Sequence, residues 1–409
     1  MKRLPAQADT GIYLLLTAAV FAVFMGYGSL LPVLAPFIEH LADNGGRYDV
    51  SWHAGMLTGV YTLALFAFAP LCGRLSDRRG PRPVLLTGLA GYVVTLLLFG
   101  LSLTLWQAYT MRIASGIFAS AVLPVAMAYV GASHPAELRA RRFAWLSAAS
   151  GLGLLAGPAV SGIAARVGGG AGGADLWHVA LASPFAVAAA VGAAAWLALL
   201  LRLPPVAARK GPAAPNAARV PPILFLLVLL VMFGLGSFEV AIALRGQRLL
   251  GLTPAAISVM FMECSLVMIV AQIAAFWSSS ARLHGLILTT SAFAAMAGAM
   301  ALLPYGDSYL AQVSLVGVIG AASGILIPVL SYRISRDAGD NQGATLGKSV
   351  AAGNLGQAAG SFAAGVLFDV RPEAPFWLGA GLLVSAAFAA ATLAAASGVD
   401  PQPNEGGRR

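Results

Sequence analysis

Apolar runs of about 20 to 27 residues, separated by short polar or basic links, fill this chain almost from end to end. Twelve can be marked, at about 12–38, 54–72, 83–103, 105–130, 143–166, 178–201, 222–244, 254–277, 285–303, 308–332, 345–368 and 374–398. A helix rises about 1.5 Å per residue, so each run is long enough to cross the roughly 30 Å hydrocarbon core of a bilayer. Some links, such as Ser102–Thr104, are so short that the flanking helices must be antiparallel neighbours. The pattern predicts an all-α membrane protein with twelve transmembrane helices.

Within the fifth run, Gly153, Gly157 and Ser161 recur every four residues and form one smooth stripe along a helix. Such a stripe lets a second helix approach to backbone contact. Pro158 has no N–H for the carbonyl of Leu154, so the helix loosens there, which lipid-embedded helices tolerate when a neighbour satisfies the freed group. Gly162 closes the stretch. It has a second version: subtracting 203 maps Gly356, Gly360, Ala364 and Gly365 onto Gly153, Gly157, Ser161 and Gly162. Gly26-Tyr-Gly28-Ser29 recurs as Gly234-Leu-Gly236-Ser237, and Leu123-Pro124-Val125 as Ile327-Pro328-Val329. Between the two sets lies 202–221, rich in Pro, Ala and basic residues and without apolar periodicity, which reads as a flexible linker. The chain therefore divides into six-helix pseudo-repeats at 1–201 and 222–409, the second ending in a short tail. The stripe and its copy are expected to form the seam along which the halves meet and rock, with a cavity between them, as in a secondary transporter.

Composition agrees and charge adds orientation. Of 409 residues, 59% are hydrophobic and 10% charged, against about 25% charged in soluble domains. The net charge of +9 is spread over short links, not gathered on one face, which argues against nucleic acid as a partner. With both termini cytoplasmic, 19 of the 25 Lys and Arg fall on the inner side, five on the outer side, and only Arg112 lies inside a span. The first run is too long for a signal peptide's apolar segment and reads as a retained span. Cys72 and Cys264 lie within runs and read as buried apolar residues without a disulfide. The five histidines show no ligand spacing, and no nucleophile or cofactor motif appears. No metal, no cofactor and no enzymatic activity are expected.

After the second run the chain reads Gly73-Arg74-Leu75-Ser76-Asp77-Arg78-Arg79-Gly80-Pro81-Arg82. This resembles the G-x-L-x-D-R-x-G-R-R loop of the major facilitator superfamily, with Pro81 where the family often has a basic residue. Gly73 would admit a neighbouring helix and Gly80 a tight turn. Asp77 would hold a cytoplasmic gate by facing a helix N-terminus or an arginine, with Arg78 and Arg82 beside it. Arg112-Ile-Ala-Ser-Gly116 resembles the family's R-x-x-x-G element of span four, and Gly26 to Pro36 its first-span glycine and proline pattern. Two roles are open to Arg112: a functional charge in the cavity, or a clamp on backbone carbonyls of span one. Gly153 to Gly162 resembles the G-x-x-x-G-P-x-x-G-G element that marks proton-antiport exporters in this superfamily, with Ser161 in place of a glycine. The resemblance is best to the twelve-span drug/proton antiporter group. It implies the major facilitator fold and a cavity faced by spans one, four, seven and ten. Tyr27, Met25, Met127, Phe233, Phe238 and Tyr332 would line that cavity. At an offset of 202, Asp77 maps to Ser279 and Gly73 to Ala275, so the second half has lost the gate acid.

Proton coupling requires a titratable group inside a span, and Glu239 and Glu263 are the clear candidates. Both fall in the outer half of their spans. Glu263 ranks first, because Glu239 has an alternative in an ion pair with Arg245. The expected activity is proton-coupled export of a small, partly apolar organic compound by alternating access. Export of an endogenous metabolite and proton-coupled uptake are the rivals. The implied partners are the substrate, protons and the bilayer, with the protein acting as a monomer in a bacterial cytoplasmic membrane.

Overall fold

The computed structural model of the chain describes residues 6–42, 49–133, 136–169, 174–204, 220–277, 286–337 and 342–397. Most of the expected linker (205–219) and the link Ser278–Arg282 after span eight lie outside the described residues. So do Lys2, Arg3, Arg47, Arg209, Lys210, Arg219, Arg408 and Arg409. Among the described residues every regular element is helical.

The first span is α1 (Ala6–Leu30), a 3-10 turn at Leu31–Val33 and α2 (Leu34–Ala42). It is followed by α3 (Val50–Arg79) and α4 (Pro81–Gly100). Span four is divided into α5 (Leu105–Ala119) and α6 (Val122–Ser133). Pro124, at the start of α6, has no N–H to carry the ladder across the break. Helices α7 (Ala136–Gly169) and α8 (Ala174–Arg202) complete the first half. The second half holds α9 (Pro222–Arg248), α10 (Pro254–Trp277), α11 (Leu286–Leu302), α12 (Tyr309–Asp337), α13 (Gln342–Phe368) and α14 (Ala374–Ser397). Eleven of these spans are long and apolar enough to cross a membrane. The twelfth, α13, is 27 residues long. Its Lys348, Asn354, Gln357 and Ser361 make it less apolar. Helix ends are set by local chemistry: Asp49 accepts from the Trp52 N–H at 3.1 Å to cap α3. Gly80, at φ +86°, makes the turn that Pro81 then feeds into α4.

Lipid tails supply no hydrophobic drive between helices, so close packing has to hold them together. The two glycine stripes do this inside the halves. Gly153 and Gly157 lie against the α1 backbone, where a Cβ would come within 2.5 Å of the carbonyls of Phe21 and Met25. Gly356 and Gly360 lie in the same way against Leu229 and Phe233 of α9. The stripes are therefore not the seam between the halves, as the repeat alone suggested. They bind span five to span one and span eleven to span seven. Only their far ends cross over. Gly162 faces Ser258 of α10, and Gly365 faces Gly55 of α3, with a Cβ at Gly55 falling 2.6 Å from the Gly365 Cα.

The carbonyl freed by Pro158 also crosses over: Leu154 accepts from Ser265 Oγ of α10 at 3.4 Å. Ser161 donates to the Ser29 carbonyl at 2.7 Å, so the serine in place of glycine fastens α7 to α1. The halves thus meet through α3 with α13 and α7 with α10, toward the end that carries Asp49. At the opposite end Gly73 of α3 and Gly347 of α13 face open space. The described contacts between the halves thus join them at the Asp49 end, while Gly73 and Gly347 at the opposite end have no neighbour among the described residues.

Candidate functional site

The Gly73–Arg79 stretch is not a loop. It forms the last turns of α3, and the chain turns only at Gly80. Asp77 and Arg78 are exposed, and Asp77 has no hydrogen bond or ion pair among the described residues. Arg82 donates to the Leu200 carbonyl of α8 at 3.1 Å.

Deeper toward the Asp49 end, buried and half-buried polar groups from both halves converge. The close approach of α1 to α7 at Gly28 and Gly157 fixes the rotation of α1, and with it the direction in which Tyr27 projects. The stripe of α13 draws that helix so near α9 that Gly236 touches the Gln357 backbone. Gln357 then reaches Glu239, one turn along α9. Tyr27 Oη donates to Glu239 Oε2 at 2.6 Å. Gln357 Nε2 lies 3.1 Å from the same oxygen and 2.9 Å from Tyr27 Oη. Tyr27 belongs to the first half, Glu239 and Gln357 to the second, so this three-residue cluster joins them. Arg245 donates instead to the Pro304 carbonyl at 2.6 Å, and its ion pair with Glu239 is not formed.

Behind Tyr27 stands a positive charge. The Tyr27 ring stacks on Tyr61 with centroids 5.5 Å apart. The Arg112 guanidinium lies 4.2 Å from the Tyr61 centroid, 5.5 Å from Phe99 and 5.7 Å from Tyr27. Gly116, one turn beyond Arg112, lets α5 rest on the Tyr61 backbone and so seats that ring beneath the guanidinium. Arg112 is buried, and its Nε donates to the Leu57 carbonyl of α3 at 3.3 Å. The carbonyl it holds belongs to span two, not to span one. Its two terminal nitrogens have no hydrogen-bond partner among the described residues. Three aromatic faces are its compensation, each worth about 0.5–2 kcal/mol.

Glu263 sits apart from this cluster. It is half-buried on α10 against α12, with Oε1 filling the space over Gly317 and Oε2 without a partner. Among the expected cavity residues, Met25 is buried, and the carbonyl of Phe233 meets Gly360. Phe238 is buried against Phe261, with ring centroids 6.3 Å apart. Tyr332 is 52% exposed toward the Gly73 end, away from Tyr27. The residue that the sequence argument missed is Gln357. Its signal was present in the repeat, since it lies between the paired glycines Gly356 and Gly360, but only the packing turns it toward Glu239.

A half-buried carboxyl held by a donor from each half, one of them a tyrosine lying against a buried cation, can link a proton to the contact between the halves. The model of the Major Facilitator Superfamily matches residues 16–349. Multidrug resistance protein 1 of Bacillus subtilis is 26% identical over 377 residues, covering 89% of this chain and 91% of that protein. The class B tetracycline resistance protein of Escherichia coli is 40% identical over 144 residues, 35% of each chain. In three dimensions the chain is similar to a human organic anion transporter, with a TM-score of 0.71 and 19% identity over 95% of this chain and 100% of that one.

Proposed function

The chain belongs to the Major Facilitator Superfamily, and from that premise we propose that it exports a small, partly apolar organic compound in exchange for protons. It is a membrane transporter and not an enzyme. The multidrug and tetracycline resistance proteins among its relatives support a drug-like cargo. The basic residues concentrated at the Gly73 end support a cytoplasmic placement for that end and for both termini. In this orientation the joined Asp49 end is the outer one.

The observation that carries the reading is the inter-half contact of Tyr27, Glu239 and Gln357. A carboxylate accepts both donors, which holds the outer end shut. Protonation removes the charge that strengthens these bonds, and a substrate bearing a donor or a cationic group competes for the same oxygens. Proton and cargo thus exclude each other at Glu239, and either one releases Tyr27.

The test uses everted membrane vesicles with an acidic interior and ethidium as probe. Accumulation that collapses when a protonophore is added is the expected result. Accumulation indifferent to the proton gradient, or uptake only into right-side-out vesicles, would overturn the exporter reading.

A further inference from the structure

Three side chains meet where the halves join at the Asp49 end. Ser51 lies in the first turn of α3, in the first half, while Arg248 ends α9 and Asp369 follows α13, both in the second. Arg248 Nη1 donates to Ser51 Oγ at 2.7 Å and to Asp369 Oδ1 at 3.0 Å. Ser51 Oγ donates in turn to the same Oδ1 at 2.9 Å. A hydroxyl has one proton to give and lone pairs to accept with, so Ser51 fits between the cation and the anion with both capacities used. Asp49 caps α3 and so fixes the turn that carries Ser51. Ser51, Gly55 and Gly59 recur every four residues and share one face of the helix. That face lies on α13: a Cβ at Gly365 would come 2.8 Å from the Ser51 carbonyl, and Gly59 meets the Phe362 ring.

We propose that Ser51 is the latch of this end: a neutral hydroxyl from one half that joins the halves by inserting into an ion pair of the other. Arg248 and Asp369 both belong to the second half, so they stay paired when the halves separate, and only Ser51 withdraws. Ser51 is buried, whereas the side chains of Arg248 and Asp369 are 33% and 37% exposed. Water therefore reaches the ion pair in both states, and it takes over the hydroxyl in the open one.

The alternative construction, an ion pair with one partner in each half, would leave an uncompensated charge on both sides at every opening. A hydroxyl wedge strands no charge. Its net contribution is that of a hydrogen bond to charged groups, reduced by the partial exposure of the pair. That is enough to favour the joined form and small enough to be given up in each cycle.

The latch is separate from the contact of Tyr27, Glu239 and Gln357. Asp369 lies twelve residues past Gln357, about 18 Å at the helical rise. Sites so far apart, with no shared partner, contribute additively. Failure of the Glu239 reading would therefore leave Ser51 unaffected, and failure of the latch would leave Glu239 unaffected.

The experiment measures distances between spin labels at Leu103→Cys of the first half and Leu310→Cys of the second, which are 68% and 75% exposed near this end. The full chain, carrying Cys72→Ala and Cys264→Ala, is held in nanodiscs at one fixed pH. Ser51→Ala removes the hydroxyl and keeps the small face on α13, so the ratio of short to long distances should fall about tenfold. In a chain that also carries Arg248→Ala and Asp369→Ala, Ser51→Ala should change the ratio less than about twofold, because the hydroxyl has nothing left to join. A merely packing role for Ser51 would give the same fall with and without the ion pair. That result, or a ratio unchanged within about twofold in Ser51→Ala alone, would overturn the proposal.

Discussion

Replacing Tyr27 by Phe isolates the bond that joins the halves around Glu239. The ring remains, so its stacking on Tyr61 at 5.5 Å and its place near Arg112 are kept. What is lost is one hydroxyl, donating at 2.6 Å to Glu239 and accepting from Gln357 at 2.9 Å. A hydrogen bond to a charged group contributes about 1.5–3 kcal/mol net. Because the bond exists only while the outer end is closed, its loss appears in the equilibrium between closed and open forms. The closed-to-open ratio should fall about 10- to 150-fold. Distances between labels at Leu103 and Leu310, measured at a pH where Glu239 is charged, report that ratio directly. In the wild type, Glu239→Gln should produce a shift in the same direction, and combining it with Tyr27→Phe should add little. An unchanged ratio in Tyr27→Phe, or full additivity of the two substitutions, would refute the reasoning.

Two further outcomes follow from the same geometry. Arg112→Lys keeps the charge but loses the planar group stacked on Tyr61 and the Nε bond to Leu57, so transport should fall at least tenfold while expression persists. Vesicle accumulation of ethidium, normalised to protein, measures it. Glu263→Gln removes an acid that touches neither Tyr27 nor Gln357, so proton-driven accumulation should stay within about twofold of wild type, its oxygen over Gly317 being retained in shape.

Much of this arrangement was legible in the sequence, because lipid imposes a length on every span and the repeat is written twice. Twelve apolar runs and paired glycine stripes are one-dimensional facts, and they survive folding. Rotation about a helix axis is not one-dimensional. Glu239 and Glu263 read at similar depth, yet α9 turns the first toward Tyr27 while α10 turns the second toward Gly317. Along the chain Arg245 is one turn and a half from Glu239 and stands as its natural partner, whereas in the fold the Pro304 carbonyl takes Arg245. The same limit applies to the stripes. Spacing says that Gly153 and Gly157 admit a helix, but not that the helix is α1 of the same half. The basic stretch after span two reads as a loop by composition, although α3 runs on through Arg79 until Gly80 permits the turn.

The central claim is that Glu239 is where proton and cargo meet, and one measurement addresses it most directly. Purified protein in weakly buffered detergent solution is titrated with ethidium or tetracycline while a pH indicator follows proton release. The wild type should release protons on probe binding, and Glu239→Gln should bind the probe and release none. Proton release by Glu239→Gln equal to that of the wild type would contradict the account.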